Sequence, residues 1–409
     1  MKSLTSAGII VGLLVSTIIG VNARDKRDMP ESNSSGLLAS KIDQFDIAES
    51  DYYAGISNLI KEKYVDPVTD DKKLLSGAVR GMITGLGDIN SQFYNVNEFT
   101  AFKNVRAGQY HGIGVWLDYK SIKSDIKAPG SDIGIALPRL AVVSVAPGSS
   151  ADKAGVKVGD LVTDVDDHWV LNSEDIFKFR KAQQDFFDKK IDFKTINNMR
   201  KDIKAKLDKS VTPTHAKERL ITGETGTMHV KFDRAGTVID TQLAKGVTDI
   251  PALKEVNGAF VLTFTTGSVE ALKSYATGKP ALTIDLRNNV LGDFETMRKC
   301  LAVVAPATNY GYFSTEKKST PETFKTDSGI AKPLKLKLLV DPSTRDAAEV
   351  FALSLAAKNY ATLSGMEMGN SRRHHEICQL PDGSGYTLAT GTFKTGAPTD
   401  VSKGKGGGK

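Results

Sequence analysis

"ALTIDLRNNVLGDFETMRKCLAVVAP", residues 281–306, passes from a strand-like run through an Asn-containing turn into a helix-like run. Ala281 to Ile284 suit a buried strand, Asp285 to Asn289 interrupt it, and Phe294 to Ala305 repeat apolar residues at helical spacing. The same alternation continues on both sides. "GAFVLTFT" (258–265), "LKLKLLVD" (334–341) and "ATLSGM" (361–366) read as strands. "VEALKSYAT" (269–277) and "AAEVFALSLAAKN" (347–359) read as helices. Strands that alternate with helices imply a parallel α/β sheet.

One turn in this region raises a chemical question. "VDPSTRDAAEVF" (340–351) leads from a strand-like run, Leu334 to Val340, into a helix-like run, Ala347 to Ala357. Hydrolases often present a nucleophile at such a turn, beside backbone N–H donors. A Ser, Cys or Thr is expected at its tip, and Arg345 and Asp346 stand there. Asp285 and Arg287 read as braces of the turn after their own strand.

Upstream the pattern changes twice. Residues 43–107 carry helical periodicity, as in "DKKLLSGAVRGMITGL" (71–86). From about residue 109, short strands with Gly punctuation take over, interrupted at 172–220 by a Lys-rich, Gly-poor helical stretch that reads as an insertion. Within the β region, "VVSVAPGSSADKAGVKVGDLVTDVDDHWV" (142–170) gives a strand, a turn, a short helix (Ala151 to Ala154) ended by Gly155, and a tight turn at Gly159-Asp160. This resembles a PDZ domain as found in exported bacterial proteases. Gly112, Ile113, Gly114 and Val115 resemble the loop whose amides capture a peptide's C-terminal carboxylate while the peptide adds as a strand. The groove helix is expected to begin near Ser173, with Ile176, Phe177 and Phe179 facing the pocket.

The resemblance extends to the α/β region. "DLRNN" (285–289) is similar to the strand-end motif of the carboxy-terminal processing proteases, the serine–lysine peptidases of the S41 type with a PDZ domain. Val290-Leu291-Gly292 replaces the family's Pro-Gly-Gly. The resemblance implies a multidomain α/β plus β fold. It comprises an N-terminal helical region (41–108), a PDZ domain (109–236) with a helical insertion at about 175–218, and a parallel-sheet peptidase-like core (237–395). Glu349 and Gly365 fix the register against the family's pattern. The nucleophile position then falls on Asp346, the lysine base on Ser371 and a following glutamine on His375. All three residue types differ from the family's, which implies that the peptidase chemistry is lost.

A rival reading keeps chemistry. Asp, Ser and His are the residue types of a serine-protease triad, and triads are defined by geometry rather than chain order. His374, His375, Glu376 and Cys378 also cluster. Strand alternation puts at most two of them on one side, so no metal or cofactor is expected.

Bulk properties set the remaining bounds. The chain has 409 residues and a formal net charge of +6, and it carries no zinc-finger spacing or aromatic-basic stacking pattern, so nucleic acid is not an expected partner. Lys2, the apolar run Ala7 to Val21 and "VNA" (21–23) read as a secretory leader cut after Ala23, with an uncleaved membrane anchor as the alternative. A polar linker (24–40) and a flexible basic tail (396–409) flank the folded part. Cys300 and Cys378 do not make a disulfide framework. Three functions compete. One is an inactive exported adaptor that binds protein C-terminal tails or a partner protease. Another is an active endopeptidase with a rebuilt site. The third is an envelope protein that makes its contacts through the basic insertion. Homo-oligomerisation is compatible with each.

Overall fold

The computed structural model describes residues 49–88, 91–127, 134–250, 254–315 and 321–396. The expected leader and linker lie outside the described residues, as does the tail beyond Gly396. The chain divides into two compact units. The first contains the helices Glu49–Lys63 and Asp71–Gly85, joined by a 2.8 Å ion pair between Lys61 and Asp71. The Asp70 side chain caps the second helix by accepting from the Lys72 amide at 3.0 Å. Among the described residues no helix is long and apolar enough to cross a membrane.

The second unit holds the β-rich and α/β regions. Its first helix, Val96–Arg106, is set by a capping box: the Asn95 side chain takes the Glu98 amide, and Glu98 takes the Asn95 amide. The helix buries Phe99, Phe102 and Val105. The strand Gln92–Tyr94 precedes it and pairs antiparallel with Gly385–Thr395, although its surroundings read as wholly helical in the sequence. Three residues carry too little pattern to announce a strand whose partner lies so far along the chain.

The PDZ-like part is a seven-stranded sheet in which Val115–Lys127 and Gly134–Val145 form a long antiparallel pair. Leu161–Val165, Thr227–Arg234 and Thr237–Ala244 continue the antiparallel pairing. The short helix Ser150–Lys153 lies where the sequence put it, capped by Ser149.

Two expectations for the groove need correction. The amides of residues 112–114 are already paired. Gly112 N donates to Gly223 O at 2.8 Å, Ile113 N to Leu220 O at 3.0 Å and Gly114 N to His111 O at 3.4 Å. Val115 enters the sheet opposite Val145, so the loop is closed by the chain's own carbonyls. The helix against that loop is Pro213–Ile221, which buries Ala216, Lys217, Leu220 and Ile221. A helix does begin at Ser173, but Ser173–Phe187 pairs with Phe193–Asp208 as an inserted hairpin. Ile176 is buried and Phe177 and Phe179 are half-buried on that hairpin. The insertion thus separates the strand His168–Val170 from the helix that closes the loop.

The core has two sheets. One is the expected parallel sheet: Ala259–Val261, Ala281–Asp285, Lys335–Val340 and Ala361–Gly365 lie in that order, all parallel, with Glu255–Val256 antiparallel at the edge. The other is an antiparallel sheet of Gln92–Tyr94, Asn309–Ser314, Glu322–Lys325, Arg373–Gln379 and Gly385–Thr395. The helix Ala347–Ala357 is apolar except for Glu349 and Ser354 and almost wholly buried, in contact with strands of both sheets. Cys300 is buried and unpaired, and burial pushes its thiol up to about 12. Cys378 is also unpaired.

Two measurements test this packing. Gly112 has φ +69°, and a Cβ there would lie 2.1 Å from the Leu220 carbonyl oxygen. Gly112→Ala is expected to lower stability by about 3 kcal/mol or more, through strain and the backbone clash together; an unshifted urea midpoint would contradict the closed loop. His374 stands edge-on to Phe294 at 5.0 Å and packs against Phe313 at 5.4 Å. Burial holds its pKa below the usual range, against the pull of Glu322. The folded chain therefore keeps His374 neutral where the unfolded chain takes up a proton, and stability is lost as pH falls through about 6.5. In His374→Phe the loss of stability between pH 7 and pH 5 should shrink, which denaturant titrations at both pH values will read.

Candidate functional site

The turn at residues 341–346 stands at the carboxyl end of the strand Lys335–Val340, where open α/β sheets form their crevices. Its neighbour is the turn after Ala281–Asp285, and hydrogen bonds lock the two together. Asn288 N donates to Ser343 Oγ at 2.7 Å, Asn289 N to Ser343 O at 3.1 Å and Arg345 N to Asn289 O at 3.1 Å. Thr344, fully buried, donates through Oγ1 to Leu286 O at 3.0 Å. Asn289 Nδ2 reaches back to Leu262 O at 2.7 Å. Asp285 and Arg287 brace this turn as the sequence suggested, with the Arg287 guanidinium at 2.9 and 2.6 Å from the Asp285 carboxylate.

Asp346 ends the locked turn with φ +49° and ψ −115° at the N-terminus of the helix Ala347–Ala357, and its side chain caps no amide. Such a conformation is strained for a non-glycine residue by about 1–3 kcal/mol, and strain of this kind concentrates at functional sites. The side chain instead faces the segment 371–375. Ser371 Oγ donates to Asp346 Oδ1 at 2.5 Å, and His375 Nδ1 lies 3.9 Å from the same oxygen. The three positions aligned from the sequence are therefore brought together. Their order is unlike a triad, because the carboxylate touches both partners and the imidazole does not stand between hydroxyl and carboxylate.

Glu349 holds the opposite segment in place. It is buried, accepts from the Ser371 amide at 2.8 Å and the Arg372 amide at 3.4 Å, and lies 3.3 Å from Arg372 Nε. Burial raises its pKa despite these three partners.

A cleft of about 230 Å³ opens beside Asp346. Its walls include Tyr94, Arg106, Trp116, Asp118, Arg345 and His375. No lysine is among its lining residues. Arg106 is held by Asp293 at 2.5 Å, and burial pushes the Tyr94 phenol well above its usual range, so neither supplies a free base at neutral pH. Arg345 points to Asp118 of the PDZ sheet at 3.6 Å. Asp118 also takes a hydrogen bond from Gln92, whose Oε1 lies 3.4 Å from the ammonium of Lys217. Lys217 is 2% exposed, and its charge lies over the rings of Tyr94 and Trp116 at 5.1 and 5.0 Å. Sequence reading missed Tyr94, Arg106, Trp116, Asp118 and Lys217. They come from four separate segments, and nothing local marks them as neighbours of Asp346.

Comparisons with known proteins agree with this architecture. Residues 246–406 match the family model described as peptidase family S41, and residues 142–179 match a PDZ domain model. A chloroplastic C-terminal processing peptidase of Tetradesmus obliquus is 21% identical over 354 residues, covering 84% of this chain and 69% of that protein. A probable CtpA-like serine protease of Staphylococcus epidermidis is 25% identical over 340 residues, covering 80% of this chain and 57% of its own length. The solved photosystem II D1 C-terminal processing protease aligns with a TM-score of 0.56 at 17% identity, over 85% of this chain and 89% of that one. The chain thus carries a segment matching a PDZ domain and a segment matching peptidase family S41, and it is similar in sequence and fold to C-terminal processing peptidases.

Proposed function

We propose that this chain is an exported relative of the processing proteases that has lost amide hydrolysis and acts as an adaptor or regulator, binding protein C-terminal tails or a partner protease. The Asp346 carboxylate carries this reading. By the sequence register it stands at the family's nucleophile position, and it accepts the hydroxyl of Ser371, the residue at the position read as the family's lysine base. Serine–lysine hydrolysis needs a hydroxyl deprotonated by a neutral amine, with N–H donors around a developing oxyanion. A carboxylate is a weaker base than an amine by about six pKa units, and its charge opposes an oxyanion beside it. Arg345, Arg372 and Arg373 offer no substitute, since a guanidinium stays protonated. The leader-like N-terminus supports export. Tail capture at residues 112–115 requires the loop to exchange the carbonyls of Leu220 and Gly223 for the tail's carboxylate.

One observation favours the rival reading of a rebuilt peptidase: Asp346, Ser371 and His375 do meet. Their order argues against it, because Ser371 gives its hydrogen to a carboxylate rather than to an imidazole.

A cleavage assay on a loosely folded protein with an apolar C-terminal tail separates the two. Wild type, Ser371→Ala and His375→Ala are all expected to bind the tail without turnover. Turnover by wild type that vanishes in Ser371→Ala would establish the rebuilt site. Loss of both turnover and binding would reject tails as partners. A structural role for the Asp346–Ser371 bond has its own signature. Ser371→Ala should lower stability by about 1–3 kcal/mol, as expected when a charged acceptor loses its donor in a largely buried site, and Ser371→Thr should recover part of it.

A further inference from the structure

We infer that the tip of the inserted hairpin, residues 186–194, docks on the surface of an anionic lipid bilayer. The sequence there is "FFDKKIDFK". Phe187 is 75% exposed and Phe193 67% exposed, and both rings contact Phe186, at 6.0 and 6.3 Å between centroids. Ile191 sits in the turn between them. Exposed aromatic rings grouped at one point are uncommon on a monomer and mark a contact surface.

The geometry keeps this point away from the rest of the fold. The helices Ser173–Phe187 and Phe193–Asp208 bury Ile176, Ala182, Ile196 and Ile203. At the end remote from the tip, Glu174 pairs with Arg139 at 2.9 Å, and Lys206 lies over the Trp169 ring at 5.9 Å. Helices of this length carry the tip roughly 20 Å from that end, at about 1.5 Å per residue.

Charge selects the occupant. The acidic side chains near the tip have partners within the hairpin. Asp185 and Asp188 are held by Lys190 at 3.5 and 2.9 Å, and Asp192 caps the second helix through the Thr195 amide at 2.7 Å. Lys189 and Lys194 are exposed beside the rings, and the hairpin 173–208 carries ten Lys and Arg against seven Asp and Glu. Aromatic rings flanked by lysines suit a bilayer interface, where rings enter the headgroup boundary and ammonium groups meet lipid phosphates. The tip residues Phe186, Phe187, Lys189, Lys190 and Ile191 frame a shallow, open hollow, which suits a headgroup surface better than a deep enclosed pocket would.

The test reads the tip itself, because the apolar run Ala7 to Val21 would associate with lipid on its own. The full chain carrying Phe187→Trp is mixed with phosphatidylcholine vesicles with and without phosphatidylglycerol, both with brominated acyl chains. The expected result is a blue shift of the introduced indole and quenching beyond that of the parent chain, whose two tryptophans are buried. The gain should depend on phosphatidylglycerol, and Lys189→Glu with Lys194→Glu should weaken it about tenfold or more, at roughly 1 kcal/mol per lysine near the surface. Emission and quenching equal to the parent on all vesicles would overturn the proposal. Equal quenching on neutral and anionic vesicles would overturn its electrostatic half. Loss of a bound protein in Phe187→Ser with Phe193→Ser, without any lipid effect, would assign the tip to a protein partner instead.

Discussion

The bonds between residues 286–289 and residues 343–346 fix what the cleft is. They join the turns at the carboxyl ends of two adjacent parallel strands, and they are made mainly by backbone groups and by the buried hydroxyls of Ser343 and Thr344. None of them involves the side chain of Asp346. The turn therefore holds position 346 in its strained conformation whatever residue stands there. On the proposed reading, this is how a strand–turn–helix keeps its shape with a carboxylate at the position read as the family's nucleophile. The side chain is free to change because the shape does not depend on it.

The same separation explains what was legible in the sequence. The strand Lys335–Val340 and the helix Ala347–Ala357 lie within a residue of where hydrophobic periodicity puts them, because burial of both was already written in their apolar residues. The meeting of Asp346, Ser371 and His375 was legible through the register set by Glu349 and Gly365. Glu349 turns out to be the residue that grips the Ser371 and Arg372 amides, and a Cβ at Gly365 would lie 2.2 Å from the Val340 carbonyl oxygen. Both register markers thus have structural roles that do not depend on the residue at position 346.

What stayed hidden depends on long-range pairing. The second sheet unites Gln92–Tyr94 with strands after residue 308, and short strands of mixed polarity do not announce such partners. The closed loop at 112–114 was unreadable for a related reason. Its glycines suit an anion nest and a close backbone contact equally well, and the choice was decided by the carbonyls of Leu220 and Gly223, which lie beyond the insertion. Periodicity likewise marked the insertion as helical without revealing that a separate helix, Pro213–Ile221, returns to the loop.

That returning helix makes the PDZ part and the cleft mechanically inseparable. Leu220, whose carbonyl closes the loop, and Lys217, whose ammonium is buried against Tyr94 and Trp116, lie one turn apart on it. From Lys217 the contacts run through Gln92 and Asp118 to Arg345, the residue before Asp346. A buried ammonium is tolerated only while its compensating faces stay in place. Moving the helix to release the Leu220 carbonyl therefore disturbs the aromatic faces that line the cleft and the polar chain that ends at the Asp346 turn. In an active relative such a linkage would tie tail capture to catalysis. Under the proposed function, where the turn presents a carboxylate, the same linkage would tie tail capture at the loop to the shape of the cleft beside Asp346.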